Sequence, residues 1–324
     1  MTGRFADNPA YQRYEQQLVQ LHRLIAEGKC ESDEADQIRD EMDGPWKHLN
    51  GQERLRLKGL SGDLYMLQDD EDLETPVVAQ SQQDLYEQIK ECERQSDWDA
   101  ILGLLRRRPK SVPDGPVAFT RSKAYNALGH AQIALLFFEY AMRYKHNDLN
   151  ILALHLMLLR DAGRVAEAIE TARRYSQDPN ASPSVLIVAA DIYLNAVGKE
   201  DALNLQQVLN LLETALSRVS PQTPTDISHI EFAYILAAHC LVLLGSRDEA
   251  ITALEEAQKL QPDDVDVRTL REAVSATNGA DHGPFQSADA ASAFDRVAEN
   301  RRMQVFKRQG PTVTTAHPVW GKAA

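Results

Sequence analysis

The sequence predicts an all-α fold: a right-handed helical solenoid with an N-terminal helical unit and a flexible C-terminal tail. Small and apolar residues recur with a period of 34 across residues 115–182, and a glycine falls on the same offset in both periods, at Gly129 and Gly163. No alternation of apolar and polar residues competes with this pattern, so strands are not expected. A period of 34 with a turn glycine between two apolar stripes is typical of an array of helix–turn–helix units.

The recurring positions carry side chains that suit the interior of a stack of helix pairs. In the first period they are Ala118, Ser122, Tyr125, Ala134, Phe138 and Ala141, and 34 residues later they are Leu152, Leu156, Leu159, Ala168, Ala172 and Tyr175. Each helix pair has an apolar face too large to hide alone, so neighbouring pairs must stack to bury it. We therefore expect these residues to pack, and the glycines to end the first helix of each pair.

A third copy is the clearest, and it carries a family resemblance. Its positions are Tyr234, Ala238, Leu241, Gly245, Ala250, Leu254, Ala257 and Pro262. With this spacing the chain resembles the tetratricopeptide repeat (TPR) family over about residues 81–264, most clearly in 115–148, 149–182 and 231–264. The resemblance implies a solenoid of paired helices that binds proteins or peptides.

Residues 1–67 are interpreted as an N-terminal helical unit that packs on the first repeat. Apolar residues at helical spacing predict helices at 9–27 and about 52–66. A second helix begins near Ser32 and is expected to end at Gly44-Pro45-Trp46. The acidic run that follows, together with Pro76, predicts a linker over residues 68–80.

The C-terminal part divides into the end of the repeats and a tail. A capping helix over 265–277 closes the TPR-like region 81–278, because a solenoid needs its last apolar face covered. In the tail, residues 279–324, an amphipathic helix is predicted over 289–308. Its apolar side, which Arg301 interrupts, consists of Ala290, Phe294, Val297, Ala298 and Val305. We expect the tail to be flexible when free and hypothesise that it docks, in a partner or in the chain's own groove.

Composition argues against several classes of function. The formal net charge of −13 argues against a general nucleic-acid binder, which needs a basic surface. No apolar stretch is long enough to span a membrane, and the N-terminus does not read as a secretory signal. The three cysteines lie far apart, which fits a reducing compartment, so we expect a cytoplasmic protein.

A search for chemistry finds no recognisable site. The sequence contains no HExxH, GxGxxG, GxxxxGK[ST] or GxSxG motif, and its histidines are scattered. We therefore assign no catalytic residue, metal or cofactor, and predict that the chain is not an enzyme.

The TPR resemblance implies which residues line a binding groove, because the first helix of each pair faces the concave side. Carried over, these positions are Phe119, Lys123, Asn126, Asn150, Met157, Arg160, Asp191, Asn195 and His239, with Phe232, Ile235 and Val242 beside His239. Lys123 and Arg160 are expected to face solvent. Only Lys123, Asn126 and Arg160 match the carboxylate-holding set of chaperone-binding members. A mixed apolar groove for a helix or an extended peptide fits better.

Two interpretations of function remain, with a weaker third. The leading one is a non-enzymatic scaffold or adaptor that binds a protein or peptide of unknown identity in its groove. The alternative is a regulatory or accessory subunit of an enzyme or assembly complex, in which residues 1–67 carry the specific role. The third is an assembly factor that self-associates.

Overall fold

The computed structural model describes residues 8–68, 80–108, 114–143, 149–196, 201–219, 224–276 and 288–302. Within these ranges the chain forms fifteen α-helices, one short 3-10 turn over Met66–Gln68, and no strand, which confirms the all-α prediction. Contacts divide the chain between residues 144 and 145 into two compact units, called unit 1 and unit 2 below.

Unit 1 consists of seven helices in the described residues: α1 (Pro9–Ala26), α2 (Asp33–Lys47), α3 (Gly51–Tyr65), α4 (Gln80–Arg94), α5 (Trp98–Arg106), α6 (Asp114–Ala127) and α7 (Ala131–Met142). Helices α6 and α7 form the first clear helix pair. Helix α6 is the centre of the unit, because its residues are buried over 115–122 and 124–126.

Local capping explains where the N-terminal helices begin. Asn50 accepts hydrogen bonds from the backbone N–H groups of Gln52 and Glu53, and the Glu53 carboxylate accepts one from the Asn50 N–H at 2.8 Å. This reciprocal capping box satisfies donors that the first turn of α3 leaves without partners. The predicted end of α2 at Gly44-Pro45-Trp46 is wrong, since the helix includes Pro45 and ends at Lys47. The predicted linker lies mostly at 69–79, outside the described residues.

Unit 2 consists of eight helices in the described residues: α8 (Leu149–Asp161), α9 (Val165–Ser176), α10 (Pro183–Ala196), α11 (Ala202–Arg218), α12 (Pro224–Leu243), α13 (Arg247–Leu260), α14 (Val265–Ala276) and α15 (Ala288–Arg302). Three helix pairs follow one another, α8/α9, α10/α11 and α12/α13. The first helices also contact each other in series, α8 with α10 and α10 with α12. The TPR-like arrangement of stacked pairs is thereby confirmed, and α14 lies where the sequence predicts a capping helix, over 265–277.

The turn glycines act as the repeat predicts. Gly129, Gly163 and Gly245 have φ angles of 88°, 77° and 80°, in the left-handed region that glycine adopts without strain. At each turn the residue after the glycine donates its N–H to a carbonyl five residues earlier, for example His130 to Tyr125 at 2.9 Å. This is the hydrogen bond that closes a helix C-terminus in the Schellman motif.

Small residues pack where the repeat places them. Ala134, Ala168, Ala190, Ala238 and Ala250 are all completely buried. The prediction that no apolar stretch is long enough to span a membrane is wrong for one helix of the described residues. Helix α12 is long and apolar enough over Asp226–Leu243, and 56% of that stretch is buried inside the protein. Helix α12 packs against α10, α11, α13 and α15, which explains why so many of its side chains are apolar.

Candidate partner-binding surface

The predicted groove residues of unit 1 are enclosed rather than exposed. Phe119 is 6% exposed and its ring lies 6.3 Å from that of Phe138. Asn126 is also buried. The Lys123 ammonium lies 2.6 Å from the Glu93 carboxylate of α4, and its side chain is only 12% exposed. The expectation that Lys123 faces solvent is therefore wrong, because a helix outside the clear repeats supplies it with a carboxylate.

A buried polar cluster joins the N-terminal helices of unit 1 to its helix pairs. The Asp63 carboxylate of α3, 1% exposed, accepts hydrogen bonds from Arg106 of α5 at 2.7 Å and from the Tyr125 hydroxyl of α6 at 2.6 Å. The Arg121 guanidinium lies 3.0 Å away. Burial and then the Asp63 charge raise the pKa of Tyr125 well above its ordinary value. These four residues, Asp63, Arg106, Arg121 and Tyr125, are called the Asp63 cluster below.

The residues of the Asp63 cluster are not among those predicted from the sequence to form a site. Its hydrogen bonds join residues 43 and 62 positions apart, so no local spacing connects them. Gly59 is the one sequence feature that relates to this cluster, and its role can be recognised only with the structure in hand. A Cβ atom at Gly59 would lie 2.6 Å from the Arg106 guanidinium carbon, so the absence of a side chain lets Arg106 cross α3.

In unit 2 the structure brings three of the predicted residues together. Arg160 of α8 donates to Asp161 at 2.7 Å and to Asp191 of α10 at 2.7 Å. The Asn195 amide donates to the Asp191 carboxylate at 2.9 Å, and Asn195 itself is exposed. Arg160, 19% exposed in its side chain, is held in this network and does not face solvent freely as expected. The three residues, Arg160, Asp191 and Asn195, are called the Arg160 cluster.

The other predicted positions on α8 do not join that cluster. Met157 is 1% exposed and packs in the core. The side chain of Asn150 lies outside the described residues. His155 hydrogen-bonds through Nδ1 to the Tyr175 hydroxyl at 3.1 Å, which links the two helices of one pair, and burial lowers its pKa to about 4.

Helix α15 covers the positions predicted to line the groove of the last pair. The ring of Phe294 stacks on that of His239 with centroids 4.9 Å apart and an interplanar angle of 11°. Phe294 and Val297 belong to the same core as Ile235 and Val242 of α12. These α12 side chains do lie on one face, but α15 occupies it. The predicted tail helix is found at 288–302, and residues 303–308 lie outside the described part.

Arg301 anchors the polar end of α15. In the sequence it is visible only as an interruption of the apolar side of the predicted tail helix. Its guanidinium hydrogen-bonds to Asp264 and lies 3.7 Å from Glu231 and 4.0 Å from Asp266. Burial is the main cause that raises the pKa of Glu231 to about 7, with Asp264 and Asp266 adding to it and Arg301 opposing it. These residues are called the Arg301 cluster. The sequence feature that could have predicted this cluster is a single charged residue, Arg301, on an otherwise apolar helix face.

The size of the α15 contact sets how firmly it is held. Its buried apolar side chains in the described residues are Phe294, Val297 and Ala298. Three apolar side chains are few for a helix of 15 residues, so α15 is attached through a small apolar contact. We therefore expect docking of α15 to be reversible.

In the described residues no group of three or more His, Cys, Asp or Glu side chains could hold a metal ion. Both units place charged residues in fixed geometry beside apolar helix faces. Fixed polar groups next to an apolar surface are what orients a bound peptide or helix.

Comparison with known proteins adds little to this geometry. No protein-family model and no curated protein matches the chain. Among solved structures, it is similar to the TPR domain of P58(IPK), at 16% sequence identity, over 91% of this chain and 80% of that chain, with a TM-score of 0.27. The helix pairs and their turns are therefore established by this chain's own hydrogen bonds and packing.

Proposed function

We propose that the chain is a protein-binding helical scaffold whose partner contacts the first helices of unit 2: α8, α10 and α12. The observation that carries the proposal is the Arg160 cluster. It holds predicted groove residues from two successive first helices in one hydrogen-bonded arrangement, with Asn195 exposed at its edge. The serial contacts of the first helices support it, since they make these helices neighbours along one side of the stack.

The fixed geometry of the Arg160 cluster favours a peptide or helix as the partner. Arg160 holds Asp191, and Asp191 accepts hydrogen bonds from the exposed Asn195 amide, so the position of Asn195 is set before any partner arrives. Preorganised contacts of this kind reduce the entropy lost on binding. Among the other predicted groove residues of unit 2, Met157 is buried in the core and is not part of the proposed surface.

Site-specific photo-crosslinking in the full chain tests the proposal. A benzoylphenylalanine placed at Asn195 should yield a defined protein adduct in an extract of the source cells. The matched control is the same residue at Leu203, which is 84% exposed but lies on α11, a second helix. Excess unlabelled chain should suppress the adduct at 195. Equal labelling at both positions, or none at 195, would contradict the proposal.

The same experiment addresses the alternative of a regulatory or accessory subunit. A third probe at Leu55, 72% exposed on α3, reports on the N-terminal helices. An adduct at 55 and none at 195 would move the specific role to residues 1–67. The Asp63 cluster favours the leading proposal, because it makes α3 part of the packing of unit 1.

A further inference from the structure

Helix α15 meets α12 and α14 through a single stripe of side chains. Phe294, Val297, Ala298 and Arg301 stand at i, i+3, i+4 and i+7, and all four are buried, whereas Asp295, Arg296, Glu299 and Asn300 between them are exposed. This spacing is how an amphipathic helix lies in a groove of a helical partner. A separate amphipathic helix with the same spacing could make the same one-sided contact.

The two ends of the stripe are recognised differently. At one end the Phe294 ring stacks on His239, above the side chains of Ile235 and Val242. At the other end three carboxylates, those of Glu231, Asp264 and Asp266, stand around the single guanidinium of Arg301. The Glu231 and Asp264 side chains are 1% and 11% exposed, whereas Asp266 is 42% exposed at the edge. Acidic groups of this kind favour a cation at that position of any helix that lies there. The surface thus specifies both an aromatic residue and an arginine seven positions later.

From this we propose that the face of α12 and α14 under α15, called the α15 dock, is a binding site for a partner's amphipathic α-helix. That helix carries an aromatic residue, an aliphatic and a small residue three and four positions on, and an arginine seven positions on. Helix α15 occupies the dock as an internal competitor. The α15 dock proposal rests on the proposed function, because it takes the first helices as the surface that contacts the partner. It adds the chemistry of the partner's helix and the regulation of its binding by α15.

The connection between α14 and α15 explains how competition works. Helix α14 ends at Ala276 and α15 begins at Ala288, so a short segment tethers the competitor to its dock. A short tether gives an effective concentration on the order of millimolar, which a free helix must overcome. A peptide of the same sequence should consequently bind the wild-type chain on the order of 10²-fold more weakly than a chain whose α15 has been released.

The test uses a fluorescent peptide with the sequence of residues 288–302. Its binding is measured by anisotropy to the full wild-type chain, to the full chain with Phe294→Ala and Arg301→Ala, and to the full chain with Arg296→Ala. Arg296 is the matched control, since it is an exposed arginine on the same helix. The double variant should bind the peptide on the order of 10²-fold more tightly than the wild type, while Arg296→Ala should behave as the wild type. Peptides with Phe294→Ala or Arg301→Ala should lose binding.

A second route guards against misfolding of the double variant. A protease site inserted within 277–287 of the otherwise wild-type chain allows α15 to be cut loose after folding. The labelled peptide should then replace the released segment at equilibrium. No saturable binding to either the double variant or the cut chain would overturn the proposal. So would a wild-type dimer that the peptide dissociates, because α15 would then fill the dock of a second copy.

Failure here is distinguishable from failure of the scaffold proposal. Suppose that an adduct forms at Asn195 but the peptide does not bind the chain from which α15 has been released. That result would reject the α15 dock and leave the scaffold proposal intact. Peptide binding with no adduct at Asn195 would support the dock and reject the first helices α8 and α10 as the partner contact.

Discussion

In unit 1 one buried carboxylate gathers two arginines and a tyrosine, whereas in unit 2 one buried arginine gathers three carboxylates. Both clusters attach a helix from outside the clear repeats, α3 in one unit and α15 in the other. In the Asp63 cluster two arginines and a tyrosine surround one carboxylate, so the negative charge of Asp63 is fully compensated. Acceptors outnumber the donor in the Arg301 cluster, and burial raises the pKa of Glu231 to about 7. We expect the first cluster to act as a permanent brace and the second as a releasable contact.

The largest expected effect is the loss of the brace. Asp63→Ala leaves Arg106, Arg121 and Tyr125 inside unit 1 without their shared acceptor. Removing one partner of a buried ion pair typically costs about 3–5 kcal/mol. Urea unfolding should show a loss of that size. As a control, Asp36→Ala removes a carboxylate that is 68% exposed and should change stability by no more than about 0.5 kcal/mol. A small effect of Asp63→Ala would mean that the cluster is not a brace.

The second effect concerns the releasable contact. Phe294→Ala removes the largest buried side chain of α15, and such a change in a core costs about 3–5 kcal/mol. Because α15 can leave its dock, the loss is limited to the free energy of docking. Trypsin should therefore cut after Arg296 more than about tenfold faster than in the wild type. Unit 2 should otherwise resist cleavage as before, and general degradation of α8–α13 would show that α15 is an integral part of the core.

A smaller effect is expected at Gly59. Gly59→Ala places a methyl group 2.6 Å from the Arg106 guanidinium carbon, which must move away from Asp63. The expected loss is about 1–3 kcal/mol, reduced by the gain of about 1 kcal/mol from the helix preference of alanine. The matched control is Gly62→Ala on the same helix, where no atom lies within 4 Å of the new carbon. Gly62→Ala should be neutral or stabilising, and equal behaviour of the two variants in thermal unfolding would contradict this account.

A further effect is a pH dependence of stability from Glu231. Its pKa is raised from 4.5 to about 7 in the folded chain, so the folded state binds the proton more tightly than the unfolded state. Its contribution to stability is therefore full below about pH 4.5 and falls as pH rises towards 7. Glu231→Gln should flatten this fall, measured as the difference from wild type in urea unfolding at several pH values. Exposed Glu255→Gln is the control, and parallel curves for wild type and Glu231→Gln would refute the assignment.

The sequence predicted the features that depend on local spacing. The helix pairs, their left-handed turns at Gly129, Gly163 and Gly245, and the capping helix α14 follow from a period of apolar residues and from the freedom of glycine. The surroundings of the predicted groove residues could not be found this way. Lys123 is enclosed because Glu93 of α4 reaches it, and His239 because Phe294 covers it. Those partners lie on helices outside the clear repeats, so no repeat position encodes them.

Native-state amide exchange of the full chain tests most directly the claim that α3 is fixed and α15 is releasable. The account predicts that α15 exchanges through a local opening, at a free energy well below that of α10 and α12. It also predicts that α3 exchanges together with α6, because the Asp63 cluster opens only when unit 1 unfolds. Exchange of α15 in step with α12, or of α3 well before α6, would contradict it.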